Sequence, residues 1–158
     1  MKIAFIYSSK TGNTEDLVQI LHKLFLEHVS TVYTFRIDEF PLSQLSGYDA
    51  IVIGTYTWGD GELPLEMKPL YQAFEAIDSK QIITGVVGTG DSFYPNFCGA
   101  VDRFRDMLYI HTDLTVTLKI ELSPQISDLD RCKRFVEIFM KKCHSKLKNG
   151  SESCVNAR

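Results

Sequence analysis

The stretch Ser8-Ser9-Lys10-Thr11-Gly12-Asn13-Thr14 lies between an apolar run at residues 2–7 and a segment whose Leu17, Leu21, Leu24 and Phe25 recur at helical spacing. A helix start offers unpaired N–H groups and a partial positive charge, which suits an anion. The hydroxyls of Ser9, Thr11 and Thr14 add donors, and Gly12 lets backbone approach closely. The spacing is neither GxxxxGK[ST] nor GxGxxG, which disfavours the nucleotide loops those patterns mark. So many hydroxyls suit a terminal phosphomonoester, with more acceptor oxygens to satisfy than a bridging diphosphate. The same residues also make a capped helix turn with no ligand.

Two further stretches carry chemistry. Thr55-Tyr56-Thr57-Trp58-Gly59-Asp60-Gly61-Glu62 holds the single tryptophan of the chain, next to a glycine. An indole there offers a flat π-surface to a planar ligand, or folds onto the rim of the core. Gly88-Thr89-Gly90-Asp91-Ser92-Phe93-Tyr94-Pro95-Asn96-Phe97-Cys98-Gly99 combines glycines, aromatic rings and an acid. Trp58 and Tyr94 together would form a two-sided aromatic slot. Cys98 has no histidine near it in sequence and reads as a small buried hydrophobe. Cys98, Cys132, Cys143 and Cys154 form no CxxC pair, and His22, His28, His111 and His144 form no cluster. Neither a metal site nor a disulfide framework is expected.

These stretches need elements to position them. Residues 2–7, 31–37, 50–55, 82–89 and 114–122 read as strands, several of them apolar throughout, as in parallel sheets buried on both faces. Helical spacing recurs at Leu70, Ala73, Phe74 and Ile77, then at Val101, Phe104 and Leu108. A last helix is expected from Ser127 as N-cap, with Leu129, Cys132, Phe135, Val136, Phe139, Met140 and Cys143 on its apolar face. Strands alternating with helices imply an α/β fold with a parallel sheet, helices on both faces and right-handed crossovers. In such sheets ligands bind beyond the carboxyl ends of the strands, where all three stretches fall.

The 158 residues suit one domain, read as residues 1–148 followed by an unstructured polar tail at 149–158. No run approaches a membrane span and the start does not read as a signal peptide, so a cytoplasmic protein is expected. The net charge of −3 hides an asymmetry. Residues 1–130 carry 18 acidic and 9 basic side chains, residues 131–158 only 2 acidic and 8 basic. An acidic body argues against nucleic acid as a partner.

The three stretches YSSKTGNTE (Tyr7 to Glu15), TYTWGDGELP (Thr55 to Pro64) and GTGDSFYPNFCGAVD (Gly88 to Asp102) together resemble the flavodoxins. The resemblance covers roughly residues 1–147. With no long insert in the fifth strand, it is to the short-chain subgroup. It implies a doubly wound five-stranded sheet in the order 2-1-3-4-5 and noncovalently bound FMN. By position, Ser9, Lys10, Thr11, Gly12, Asn13 and Thr14 would hold the phosphate. Trp58 would stack on one face of the ring and Tyr94 on the other, with Phe93 as the alternative outer wall. Backbone groups of Gly59, Asp60, Asp91 and Cys98 would meet the ring's polar edge. Thr55, Tyr56, Thr57, Thr89, Gly90 and Phe97 complete the implied cofactor contacts.

The resemblance further implies a monomeric, low-potential one-electron carrier that is not itself an enzyme. It would run between an NAD(P)H-dependent flavodoxin reductase and acceptor oxidoreductases. Two rivals share the fold: an NAD(P)H-dependent quinone or FMN reductase, and an activating partner of a metalloenzyme. Aromatic cover over the ring argues against the first, and the tryptophan stretch is less expected in the second.

Overall fold

The computed structural model describes the backbone of residues 1–155 and the side chains through Ser151. Five strands alternate with helices along the chain: β1 (Ile3–Tyr7), α1 (Asn13–Phe25), β2 (Tyr33–Arg36), β3 (Ala50–Tyr56), α2 (Lys68–Ala76), β4 (Ser79–Gly90), α3 (Gly99–His111), β5 (Thr112–Glu121) and α4 (Leu129–Val155). They form one sheet in the order β2-β1-β3-β4-β5, with every pairing parallel.

Side-chain alternation divides the core between the two faces of the sheet. Ile3, Phe5, Tyr7, Val52, Ile83 and Ile120 face α1 and α4, where Leu17, Leu21, Phe135 and Phe139 meet them. Ala4, Ile6, Ile51, Ile53, Ile82 and Val86 face α2 and α3, against Leu70, Phe74, Phe104 and Leu108. Both faces are covered, which is why the central strands read as apolar runs without alternation. Among the described residues no helix is long and apolar enough to cross a membrane.

The structure differs from the sequence expectation at several element ends. β4 starts at Ser79 rather than residue 82, and β5 starts at Thr112 rather than 114. Ser79, Lys80 and Gln81 look like loop by composition. Ser79 nonetheless pairs with Thr112 across a register shift, and its hydroxyl donates to the His111 carbonyl at 3.1 Å. Ser127 does not cap the last helix. It lies inside a 3₁₀ turn, Ile126–Asp128, and the Asp128 carboxylate accepts the Gln125 N–H at 2.8 Å. α4 continues past Asn149, from which an unstructured tail was expected, to Val155. Nothing in the polar composition there interrupts backbone hydrogen bonding, since no proline intervenes. The expectation for 156–158 lies outside the described residues.

Candidate functional site

Parallel strands bring the segments after β1, β3 and β4 to one edge of the sheet. The first is a helix entry built around a serine. The Ser9 hydroxyl accepts the N–H groups of Gly12 and Glu15, each at 3.2 Å, so it does the capping work at the start of α1. Gly12 has φ 96°, the left-handed region that glycine enters without steric cost. Apart from its two chain neighbours, nothing lies within 4 Å of where its Cβ would stand. Among the described residues the amides of Lys10, Thr11, Asn13 and Thr14 donate to no protein acceptor. Successive free N–H groups around an αL residue at a helix N-terminus form a concave anion site. Thr14 enters it through its amide alone. Its side chain is buried, with the hydroxyl hydrogen-bonded to that of Thr89 at 2.8 Å.

The second segment folds back on itself. Trp58 and Glu62 exchange backbone hydrogen bonds of 2.8 Å in both directions. The tight turn between them uses Gly59 at φ 51° and Gly61 at φ 93°. Trp58 is 48% exposed, and the Lys10 ammonium rests 4.3 Å from the centroid of its ring. Thr55 is fully buried and its hydroxyl donates to the Tyr56 carbonyl at 2.7 Å.

The third segment is joined to the second. Asn96 Nδ2 donates to the Asp60 carbonyl and carboxylate, both at 3.2 Å, and the Ala100 N–H donates to the Thr57 hydroxyl at 3.3 Å. Phe93 N–H donates to the Asp91 carboxylate at 2.9 Å. Ser92 donates to Glu121. Phe93 stands 88% exposed and Tyr94 52%, their rings meeting edge-on at 6.0 Å. Phe97 turns inward and packs against the α2–α3 core. Cys98 is buried at φ 51°, and burial pushes its thiol pKa up to about 12, so it is not a thiolate at neutral pH.

Two clefts flank the segment 56–59, which leaves β3 and enters the tryptophan turn. One, about 480 Å³, is lined by Ser9, Lys10, Arg36, Tyr56, Trp58 and Glu66 among others. The other, about 170 Å³, is lined by Thr57, Gly59, Gly90, Asp91, Tyr94 and Cys98 with Asn96. Alternation sends Tyr56 and Trp58 to the first cleft and Thr57 to the second, where Gly59 of the turn also lies. Trp58 therefore stands at the first cleft and Tyr94 at the second, on either side of this segment. The two rings line adjoining clefts.

The sequence reading missed three polar residues beside the first cleft. Glu66 Oε1 accepts the hydroxyls of both Ser8 and Tyr56, each at 2.6 Å, tying the ends of β1 and β3 together. Burial pushes the Glu66 carboxyl up, but the bonds from Ser8 and Tyr56, its own backbone and the charge of Lys10 outweigh this and hold it below its ordinary value. Tyr56 rises to about 12, through burial first and then its bond to Glu66. Glu15 accepts the Tyr7 hydroxyl at 3.0 Å, and Arg36 reaches Glu15 at 3.7 Å and the Ser9 carbonyl at 3.4 Å. Glu66 and Arg36 come from elements distant in sequence from the first loop, so no local pattern announces them.

The family model described as Flavodoxin matches residues 5–132. The chain belongs to the flavodoxin family. It is 36% identical over 145 residues to "Probable flavodoxin 1" of Bacillus subtilis, covering 88% of this chain and 90% of that one. It superposes with TM-score 0.82 on a short-chain flavodoxin associated with a non-canonical PDU bacterial microcompartment, 28% identical, covering 90% of this chain and 99% of the other. A Fusobacterium nucleatum flavodoxin bound to flavin mononucleotide shares the fold, with TM-score 0.77 at 18% identity over 89% of this chain and 98% of the other. Flavodoxins are electron-transfer flavoproteins rather than enzymes, and serve in general as redox partners of reductases and oxidoreductases.

Proposed function

We propose that this flavodoxin binds one FMN noncovalently and acts as a low-potential one-electron carrier in the cytoplasm, as a monomer, between an NAD(P)H-dependent reductase and acceptor oxidoreductases. The observation that carries the reading is the concave group of free amides at Lys10, Thr11, Asn13 and Thr14 around the αL Gly12. A phosphate dianion supplies the acceptors those groups lack, next to a helix N-terminus that favours negative charge. The Ser9 hydroxyl accepts two amides and keeps its proton to donate, and the Thr11 hydroxyl is exposed at the rim.

Trp58 and Tyr94, each about half exposed, would hold the ring between them, and Gly59, Asp60, Asp91 and Cys98 would offer backbone groups to its polar edge. The remaining residues serve as frame. Thr55 is fixed in the core and Phe97 packs against it, Thr89 braces Thr14, Tyr56 braces Glu66, and Thr57 and Gly90 shape the second cleft. When bound, FMN supplies the one-electron chemistry. The chain's own contribution is electrostatic. Asp91 lines the second cleft and Asp60 is bonded to its Asn96; with Glu62 in the same turn as Asp60, they would oppose added negative charge there, which lowers the potential of the final reduction.

Anaerobic reductive titration tests this. The FMN-loaded protein should take up its electrons in two resolved one-electron steps and oxidise NADPH only when a reductase is added. A single two-electron step, or rapid NADPH oxidation by the protein alone, would contradict a carrier.

A further inference from the structure

We propose that Arg36, at the end of β2, is a positioning residue that aims the phosphate loop and neutralises the carboxylate beside it. The inference rests on the FMN reading and goes beyond it to a residue outside all three sequence stretches.

Arg36 touches both ends of the loop. Its Nη2 donates to the Ser9 carbonyl at 3.4 Å, and its Nη1 lies 3.7 Å from Glu15 Oε2. The Ser9 carbonyl and the Lys10 amide belong to one planar trans peptide, so they point in opposite directions. Holding the carbonyl on the guanidinium therefore aims the Lys10 N–H the other way, to the side where it meets no protein acceptor. At the far end, the Glu15 amide is bonded to Ser9 Oγ while its carboxylate is held by the Tyr7 hydroxyl and Arg36. One guanidinium thus fixes the first peptide of the loop and the first turn of α1.

The charge argument runs alongside. Glu15 is the carboxylate nearest the anion site in sequence, and unpaired it would repel a phosphate dianion. Arg36 offsets part of that charge, and its own position is set by Asp38 at 3.7 Å and by the Tyr7 ring, whose centroid is 5.7 Å from the guanidinium carbon. A lysine keeps the charge but not the fork that spans both contacts.

Calorimetric titration of the apoprotein with FMN and with riboflavin, which lacks the phosphate, tests the assignment. Arg36→Met should weaken FMN about tenfold or more and riboflavin by less than about threefold, as expected for lost interactions with a charged group. Arg36→Lys should fall between wild type and Arg36→Met. Adding Glu15→Gln to Arg36→Met should recover part of the FMN affinity. Equal losses for both ligands would make Arg36 a general fold residue and overturn the proposal, as would FMN affinity unchanged within about a factor of two. A wild-type chain that binds no FMN would overturn the FMN reading and this one together. FMN binding that is indifferent to Arg36 overturns this one alone.

Discussion

Thr11 and Thr14 look interchangeable in sequence, two hydroxyls in one glycine-containing turn, but the fold separates them. Thr11 is exposed at the loop rim, while the Thr14 hydroxyl is spent on buried Thr89. Thr11→Ala should therefore weaken FMN by about 1–3 kcal/mol and leave riboflavin nearly unchanged. Thr14→Ala leaves Thr89 without its partner in the interior, so it should lower folding stability by about 1–3 kcal/mol. Urea unfolding of the apoproteins checks this, and a Thr14→Ala protein of unchanged stability would contradict the reading. Glu66 makes a second residue-scale prediction. Its folded-state pKa is held below the ordinary value, so its contribution is fully present above that value, 4.5, and is lost as pH falls through the lower folded value. The apoprotein's urea midpoint should thus drop on acidification more steeply than that of Glu66→Gln. Parallel curves would mean that the carboxylate is not held by Ser8 and Tyr56. The hydroxyls and the glycine of the first loop were legible because they are contiguous. Glu66 and Arg36 were not, since only tertiary pairing of strand ends brings them there.

At the scale of elements, the strands and helices were readable from apolar runs and helical spacing because both faces of the sheet are buried. What could not be read is how tightly the second and third segments meet. A Cβ on Gly99 would stand 2.5 Å from Gly61 Cα, and one on Gly61 would stand 2.7 Å from Asn96 Cβ. The start of α3 thus packs directly on the backbone of the tryptophan turn. Gly99→Ala should push the turn away, with the chain still folded and FMN affinity reduced at least about tenfold, the cost of displacing several ring contacts at once. Circular dichroism and a binding titration distinguish this from unfolding, and full FMN affinity would show that the two segments need not touch. The boundary errors have a common cause. Ser79, Lys80 and Gln81 are polar yet belong to a strand, and Ser127, a good capping residue, falls inside the 3₁₀ turn that Gln125 and Asp128 close, because hydrogen bonds to neighbouring strands or turns outvoted local propensity.

Over the whole molecule, charge is distributed along the direction of the strands. Asp60, Glu62 and Asp91 follow the carboxyl ends of β3 and β4, whereas Lys142 and Lys146 of α4 lie toward the opposite edge, bonded to Asp113 and to the Gln81 carbonyl near the starts of β5 and β4. This asymmetry was countable in the sequence, but its orientation relative to the site was not, since it depends on α4 running back antiparallel to the strands. A reductase or acceptor with a basic surface should be steered to the acidic edge. Its rate with the FMN-loaded protein should fall between 0.1 M and 1 M salt, as the Debye length shrinks from about 10 Å to about 3 Å. Asp60→Asn with Glu62→Gln should lower the rate at low salt, while removal of residues 149–158 should leave FMN binding unchanged. Stopped-flow rates that ignore both salt and the paired substitution would contradict docking at that edge. The central claim is that the free amides of the first loop select a flavin with a terminal phosphate. Mass spectrometry of the flavin released from the protein after reconstitution with an equimolar mixture of FMN, FAD and riboflavin tests it most directly. The account predicts FMN, about one per chain; FAD or riboflavin in its place, or no bound flavin, would contradict it.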